Sequence, residues 1–324
     1  MLVLAGMISG CADAGPLGEY RAARTLHLAP DGRLIVTDLG SGRNDGKVVA
    51  VEVASGRRTV LMRDLPSTRH SGQAHADLAG PSGAAMAADG TVCAAIGDAT
   101  ATNAGFAALR CSSGLTVDLE AYQAGNKLPS NPYDVVSDGG QGWYVSDGAA
   151  NNVVHVDRAG KVTVVAYVPD LAASGLGDRH GQGVPAGLAL GRDRTLFVAL
   201  YGGAPFDGPP AAVISLPPDA AIHPGRAKPR LVALAPHPIA LAVTSDGLTV
   251  VDYGGAPGER GKGELRLLTG AGTARATGPG RLLASGLDRP TGVARLADGR
   301  WAIAETGHTG LTVLSSSRVS LGGG

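Results

Sequence analysis

The chain is expected to fold as an all-β, six-bladed propeller with four antiparallel strands per blade. Three observations lead there. A strand–turn–strand pattern recurs six times, centred on Asp31, Asp89, Asp138, Asp193, Asp246 and Asp298, in steps of 58, 49, 55, 53 and 52 residues. Further apolar pairs follow the hairpins, as in "KVVAVEV" with "RTVLMRDL" and "VVHVD" with "VTVVAYV". The 324 residues include 50 Gly and 20 Pro, which suits many short strands joined by tight turns. Four strands at a period of about 50 residues are the mark of a propeller blade.

The copies run in order. "LHLAPDGRLIVTD" ends at Asp38, "AAMAADGTVCAAIGD" at Asp98, and "YDVVSDGGQGWYVSD" at Asp147. "LALGRDRTLFVALY" ends at Tyr201, "LAVTSDGLTVVDY" contains Asp252, and "VARLADGRWAIAE" ends at Glu305. Asp-Gly favours such turns because Gly supplies positive φ and Asp bonds nearby backbone N–H groups. Asp193-Arg194 is the copy without Gly, so a different turn is expected there. A blade cannot bury both its faces alone; set radially, each covers its neighbour, which accounts for apolar runs that barely alternate. "PSGAAMA", "PAGLALG" and "PTGVARL" open with Pro-x-Gly, as suits inner strands crowding a central channel.

Composition excludes some functions. Lys plus Arg and Asp plus Glu both count 28, which argues against a nucleic-acid partner or a polybasic membrane surface. Two Trp, seven Tyr and three Phe are too few for stacking platforms. No apolar run reaches the length of a spanning helix. The nucleophile elbow, the phosphate loop and the zinc-protease helix motif are all absent.

Residues 1–18 read as a separate segment ahead of a propeller over 19–324. "MLVLAGMISGCADAG" ends its apolar stretch in Ile8-Ser9-Gly10-Cys11 and resembles a bacterial lipoprotein signal, which implies lipidation at Cys11. No Lys or Arg precedes the apolar stretch, unlike a full secretory signal. The other reading is that Leu2 to Met7 forms an outer strand. Export to the cell envelope or exterior is the favoured expectation, with membrane contact only through the lipid. The protein is expected to be a monomer.

Strand topology separates two faces. The short Asp turns lie on one. The second-to-third loops and the links between blades lie on the other, with long insertions at Pro66 to Gly80, Asp170 to Pro185, Tyr201 to Ala211 and Asp252 to Gly263. Binding loops on a rigid scaffold concentrate on such a face, so a small molecule or protein is expected there. The candidate residues are His70, His75 and Asp77 in "RHSGQAHAD", Asp178, Arg179 and His180 in "GDRHGQG", and His308. Asn131, Asp134 and Glu305 join them at the channel mouth. Imidazoles and carboxylates suit calcium or zinc where three or four converge. His70 and His75 lack helical zinc spacing, and loop histidines are more often solvated. No cofactor is therefore assigned. The acids that close second strands are read as acceptors of backbone N–H bonds rather than as a ligand ring.

Cys93 and Cys111 fall in the second and third strands of blade two. A hairpin centred near Thr102 sets them opposite one another, at roughly 4.5–5.5 Å between Cα atoms. Two readings stay open: a disulfide, which an exported chain permits, and two buried thiols.

The order Pro-x-Gly, Asp-Gly, then a strand ending in Asp resembles the NHL-type six-bladed propellers. "GPSGAAMAADGTVCAAIGD", "DLEAYQAGNKLPSNPYDVV" and "WYVSDGAANNVVHVDRAGKV" are more closely similar to the ScyD/ScyE family. The resemblance spans about Thr25 to Val313. It implies an exported propeller and carries over no catalytic residue. The expected function is therefore a non-catalytic binding or scaffold module. The alternative is a metal-dependent hydrolase or lactonase on an SMP-30-like propeller, with Asn131, Asp134 and Glu305 as compatible ligands.

Overall fold

The computed structural model describes residues 17–69, 78–97, 105–140, 142–168, 181–203, 211–218, 220, 228–255, 261–270, 280–306 and 308–315. The chain is a six-bladed β-propeller. The blades span 23–65, 81–118, 132–167, 185–235, 238–288 and 290–314. Five are antiparallel sheets of four strands in sequence order, and the sixth shows three strands among the described residues. A two-stranded insertion, Thr68–Arg69 with Leu78–Ala79, lies between blades one and two. The described helix, α1 (Leu119–Gly125), follows the outer strand of blade two, and the Asp118 side chain caps it by accepting from Ala121 N.

Apolar packing closes the ring. Each interface between neighbouring blades holds its own buried cluster: for example Val136, Tyr144, Leu188 and Val198 between blades three and four. Leu26, Leu34, Ala302 and Leu311 do the same between blades one and six. Leu17 and Tyr20 are buried in that last cluster, and Tyr20 N donates to Thr309 O at 3.1 Å. Among the described residues, the packing thus extends back to Leu17. Outer strands are the exposed ones, as in Arg58–Leu65.

First strands line the axis, and each carries an irregularity at its start, after Ala23, Pro81, Pro132, Pro185, Pro238 and Pro290. Two residues after that point the blades alternate. Blades two, four and six carry Gly83, Gly187 and Gly292; blades one, three and five carry Thr25, Asp134 and Ala240. The physical reason is contact. A Cβ on Gly187 would lie 2.5 Å from Ile239 O, and one on Gly292 would lie 2.7 Å from Arg24 O. Side-chain hydroxyls then stitch strand to strand: Ser82 to Pro132 O at 2.9 Å and Thr291 to Arg24 O at 2.8 Å.

The Asp turns repeat one device. Asp31, Asp89, Asp138, Asp193 and Asp298 each accept from the backbone N–H two residues on, at 2.8–3.1 Å. The residue between has positive φ: 84° at Gly32, Gly90 and Gly299, and 85° at Gly139. The expectation for Asp193-Arg194 needs correction. Arg194 takes φ 68° and its N–H bonds Gly191 O as Gly32 N bonds Ala29 O, so the turn is the same with arginine in the left-handed region. Blade five is the one that differs, closing Thr244 onto Gly247 in a shorter turn.

Cys93 and Cys111 are direct partners in the register of blade two, and a disulfide joins them at a Cα separation of 4.0 Å. Cys11, the proposed lipidation site, lies outside the described residues, as does the Leu2 to Met7 segment.

Candidate functional site

The acids that end the second strands hold the blades together. Asp38 accepts from Arg21 N, Ala22 N and Gly40 N. Asp147 accepts from Asn131 N at 2.8 Å and Ala150 N at 3.1 Å, and Asp252 from His237 N at 2.8 Å and Gly254 N at 3.0 Å. Glu305 is taken up by Asp288 N and the Thr312 hydroxyl. In each case the acid ties the entry of the first strand to the second. Asp98 lies outside the described residues.

Asn131 belongs to this same tie through its backbone. Asn151 takes φ 52° and accepts from Val184 N, while buried Asn152 pairs with Gln123 of α1. His308 is exposed, and its N–H bonds Glu305 O at 3.3 Å. His70, His75, Asp77, Asp178, Arg179 and His180 lie outside the described residues.

Asp134 is the sequence candidate that the channel uses most. Its carboxylate receives His27 Nε2 from blade one at 2.8 Å, Val135 N at 2.8 Å and Leu188 N from blade four at 2.9 Å. It fills the space left by Gly83 of blade two, whose Cβ would lie 2.5 Å from Asp134 Oδ1. One buried carboxylate thereby bridges four blades across the axis. Burial alone would lower the His27 pKa; the charge and hydrogen bond of Asp134 outweigh it and raise it.

Below Asp134, at the long-loop mouth, a polar and aromatic group assembles from separate blades. Tyr133 and Arg24 occupy matching positions on the first strands of blades three and one, with the Arg24 guanidinium 5.3 Å from the Tyr133 ring centre. The Tyr133 hydroxyl is buried and, among the described residues, meets no hydrogen-bond partner of good geometry, with the Arg24 side chain its polar neighbour. Burial pushes its pKa up, and nearby Arg24 acts against the rise. Tyr201 stands against His237 at 5.4 Å and Tyr253 at 5.9 Å between ring centres, and its hydroxyl donates to Gly255 O. Sequence reading missed this group because no two of its members are neighbours in the chain. Only the strand alignment, which puts Arg24 and Tyr133 one residue before Thr25 and Asp134, could have indicated it.

No protein-family model matches the chain, and no curated protein matches it. Solved structures do. A gluconolactonase from Xanthomonas campestris shares 16% identity with a TM-score of 0.54, covering 91% of this chain and 86% of its own. A calcium-binding protein, regucalcin, from Agrobacterium tumefaciens shares 14% with a TM-score of 0.53, covering 93% and 91%. A virginiamycin B lyase from Staphylococcus aureus shares 12% with a TM-score of 0.52, covering 92% and 83%. At these identities the likeness is one of fold.

These neighbours correct the expected function. The chain read as a non-catalytic scaffold shares its architecture with proteins named as a lactonase and a lyase, so the fold gives no ground for setting catalysis aside. The scaffold reading rested on missing local motifs, and a propeller site drawn from several blades has none to show.

The calcium-binding neighbour raises the question of a metal. Among the described residues, no three His, Cys, Asp or Glu side chains converge. Asp134, Asp147 and Asp252 each direct carboxylate oxygens to backbone N–H donors.

Proposed function

We propose that this chain is a hydrolase that opens a lactone or cleaves an ester at the long-loop mouth of the channel. The observation that carries the reading is the buried hydroxyl of Tyr133, which lies beside Arg24 and has no well-formed hydrogen bond among the described residues. Leaving such a group unsatisfied costs about 1–3 kcal/mol, and sites that bind a substrate oxygen keep donors in that state. Tyr133 Oη and the Arg24 guanidinium would together hold the oxygen on which negative charge develops as water attacks the carbonyl. His237 at the same mouth would take the proton from that water, and Tyr201 and Tyr253 would form the apolar wall. The fold neighbour named as a gluconolactonase supports this choice of reaction class.

The test is turnover of a panel of small lactones and chromogenic esters by purified protein, followed with a pH indicator. The assay is repeated with EDTA and with added calcium or zinc, because a metal-dependent reaction would draw on side chains beyond those described. Tyr133→Phe should retain the fold and lower kcat by about a hundredfold, as loss of one oxyanion donor does. No turnover of any panel member, or equal turnover by Tyr133→Phe, rules the reading out.

The remaining assignments belong to this proposal. The substrate is a small molecule, and the protein is an exported monomer of the ScyD/ScyE kind anchored through Cys11. Membrane fractionation of wild type against Cys11→Ala tests the anchor.

A further inference from the structure

The opposite mouth, on the Asp-turn face, holds a cavity of about 290 Å³. That is near the lower end of small-ligand sites. First strands of all six blades line it, and its walls are Leu26, Met86, Val136, Leu190, Leu241 and Val293 among others. Leu28, 45% exposed, contributes to the same lining. An apolar wall alone would say little. The charge pattern within it says more.

The ionisable residues lining the cavity are His27 and Arg295, and no acid lines it. Asp134 occupies Nε2 of His27 from the channel side. The other ring nitrogen, Nδ1, has no protein partner among the described residues. Asp134 also keeps the ring protonated to higher pH than an ordinary imidazole. Arg295 rests its guanidinium 4.6 Å from the Trp301 ring centre and makes no ion pair among the described residues. The ionisable side chains in the lining are thus two bases; of the turn acids beside it in sequence, Asp31 pairs with Arg33, Asp89 with Arg158 and Asp138 with His155, while Asp134 is turned to His27 from behind.

We propose that this cavity is a second ligand site, separate from the long-loop mouth, for a small apolar molecule bearing one carboxylate. The tail packs on the Leu, Met and Val walls. The carboxylate takes a charge-assisted bond from His27 Nδ1–H and faces Arg295. A neutral alcohol of the same tail offers no charge to the two bases, and an amine is repelled by both.

The probes are octanoate, octanol and octylammonium, titrated into the full chain by calorimetry. Octanoate should bind about tenfold more tightly than octanol, and octylammonium should not bind. Arg295→Gln should weaken octanoate several-fold, and His27→Gln should abolish the preference over octanol. Leu28→Asp, on an exposed side chain, should weaken octanoate with the unfolding midpoint unchanged, which covers the case in which His27→Gln loses the fold. Tyr133→Phe should leave octanoate binding as it was, so the result stands apart from the hydrolase reading. Equal affinity for octanoate and octanol, no binding of octanoate, or octanoate binding indifferent to Arg295→Gln and Leu28→Asp overturns the proposal.

Discussion

Reduction of the Cys93–Cys111 disulfide is expected to cost the protein a measurable part of its stability. The bond joins residues 18 apart in sequence. In the chain-entropy treatment, opening a loop of that length gives the unfolded chain freedom worth about 3 kcal/mol at 25 °C. Both cysteines sit in the cluster between blades two and three, with Cys93 fully buried and Cys111 nearly so. Replacement by alanine would add the cost of lost packing, so reduction is the cleaner perturbation. For a chain of this size, about 3 kcal/mol corresponds to a fall of roughly 4 °C in Tm. The assay is thermal and urea unfolding with and without reductant, with alkylation of the unfolded chain followed by mass spectrometry. Without reductant neither Cys93 nor Cys111 should label, and after reduction both should. Two labelled thiols besides Cys11 without reductant, or an unchanged midpoint, would refute the reasoning.

Three further outcomes are expected. Arg194→Gly should stabilise the protein by up to about 1 kcal/mol in urea unfolding, because arginine at φ 68° carries left-handed strain that glycine lacks, partly offset by glycine's freer unfolded chain. Gly187→Ala should destabilise by about 2 kcal/mol or more, since the new Cβ would meet Ile239 O at 2.5 Å and Ala240 Cα at 2.7 Å, backbone atoms that cannot step aside. Burial raises the Asp138 pKa, but hydrogen bonds from His155, Gly140 and Gly142 outweigh it and bring it to about 2. Its contribution is therefore present above the unfolded carboxylate pKa and lost as pH falls from about 4 toward 2. Wild type should lose more stability across that window than Asp138→Asn, as read from Tm against pH.

The fold was legible because each blade repeats a local rule. An Asp bonding the N–H two residues on, a positive-φ residue after it, and flanking apolar runs all lie within about fifteen residues, so the pattern survives in the linear sequence. The face assignments followed from strand alternation. Arg194 escaped because glycine is the usual but not the required occupant of a left-handed turn position, and the Asp side chain holds the turn either way. The site was poorly legible for a different reason. Asp134 was picked out by its place at the start of a first strand, yet its partners His27 and Leu188 are 107 and 54 residues away. Arg24, Tyr133, Tyr201 and His237 meet only because the ring closes. The histidine-rich loop "RHSGQAHAD" stands out by composition alone, and His70, His75 and Asp77 lie outside the described residues.

The central claim is that Tyr133 is kept unpaired for a substrate oxygen, and a paired measurement on Tyr133→Phe tests it most directly. Unfolding in urea reports stability, and hydrolysis of the best lactone or ester substrate reports function. Removing a buried hydroxyl with no well-formed hydrogen bond among the described residues should leave stability unchanged or raise it by up to about 1 kcal/mol. It should lower kcat about a hundredfold, with a much smaller change in KM. A variant that is less stable by more than about 1 kcal/mol would show that the hydroxyl is bonded in the folded protein, and one that hydrolyses as fast as wild type would show that it takes no part in the reaction.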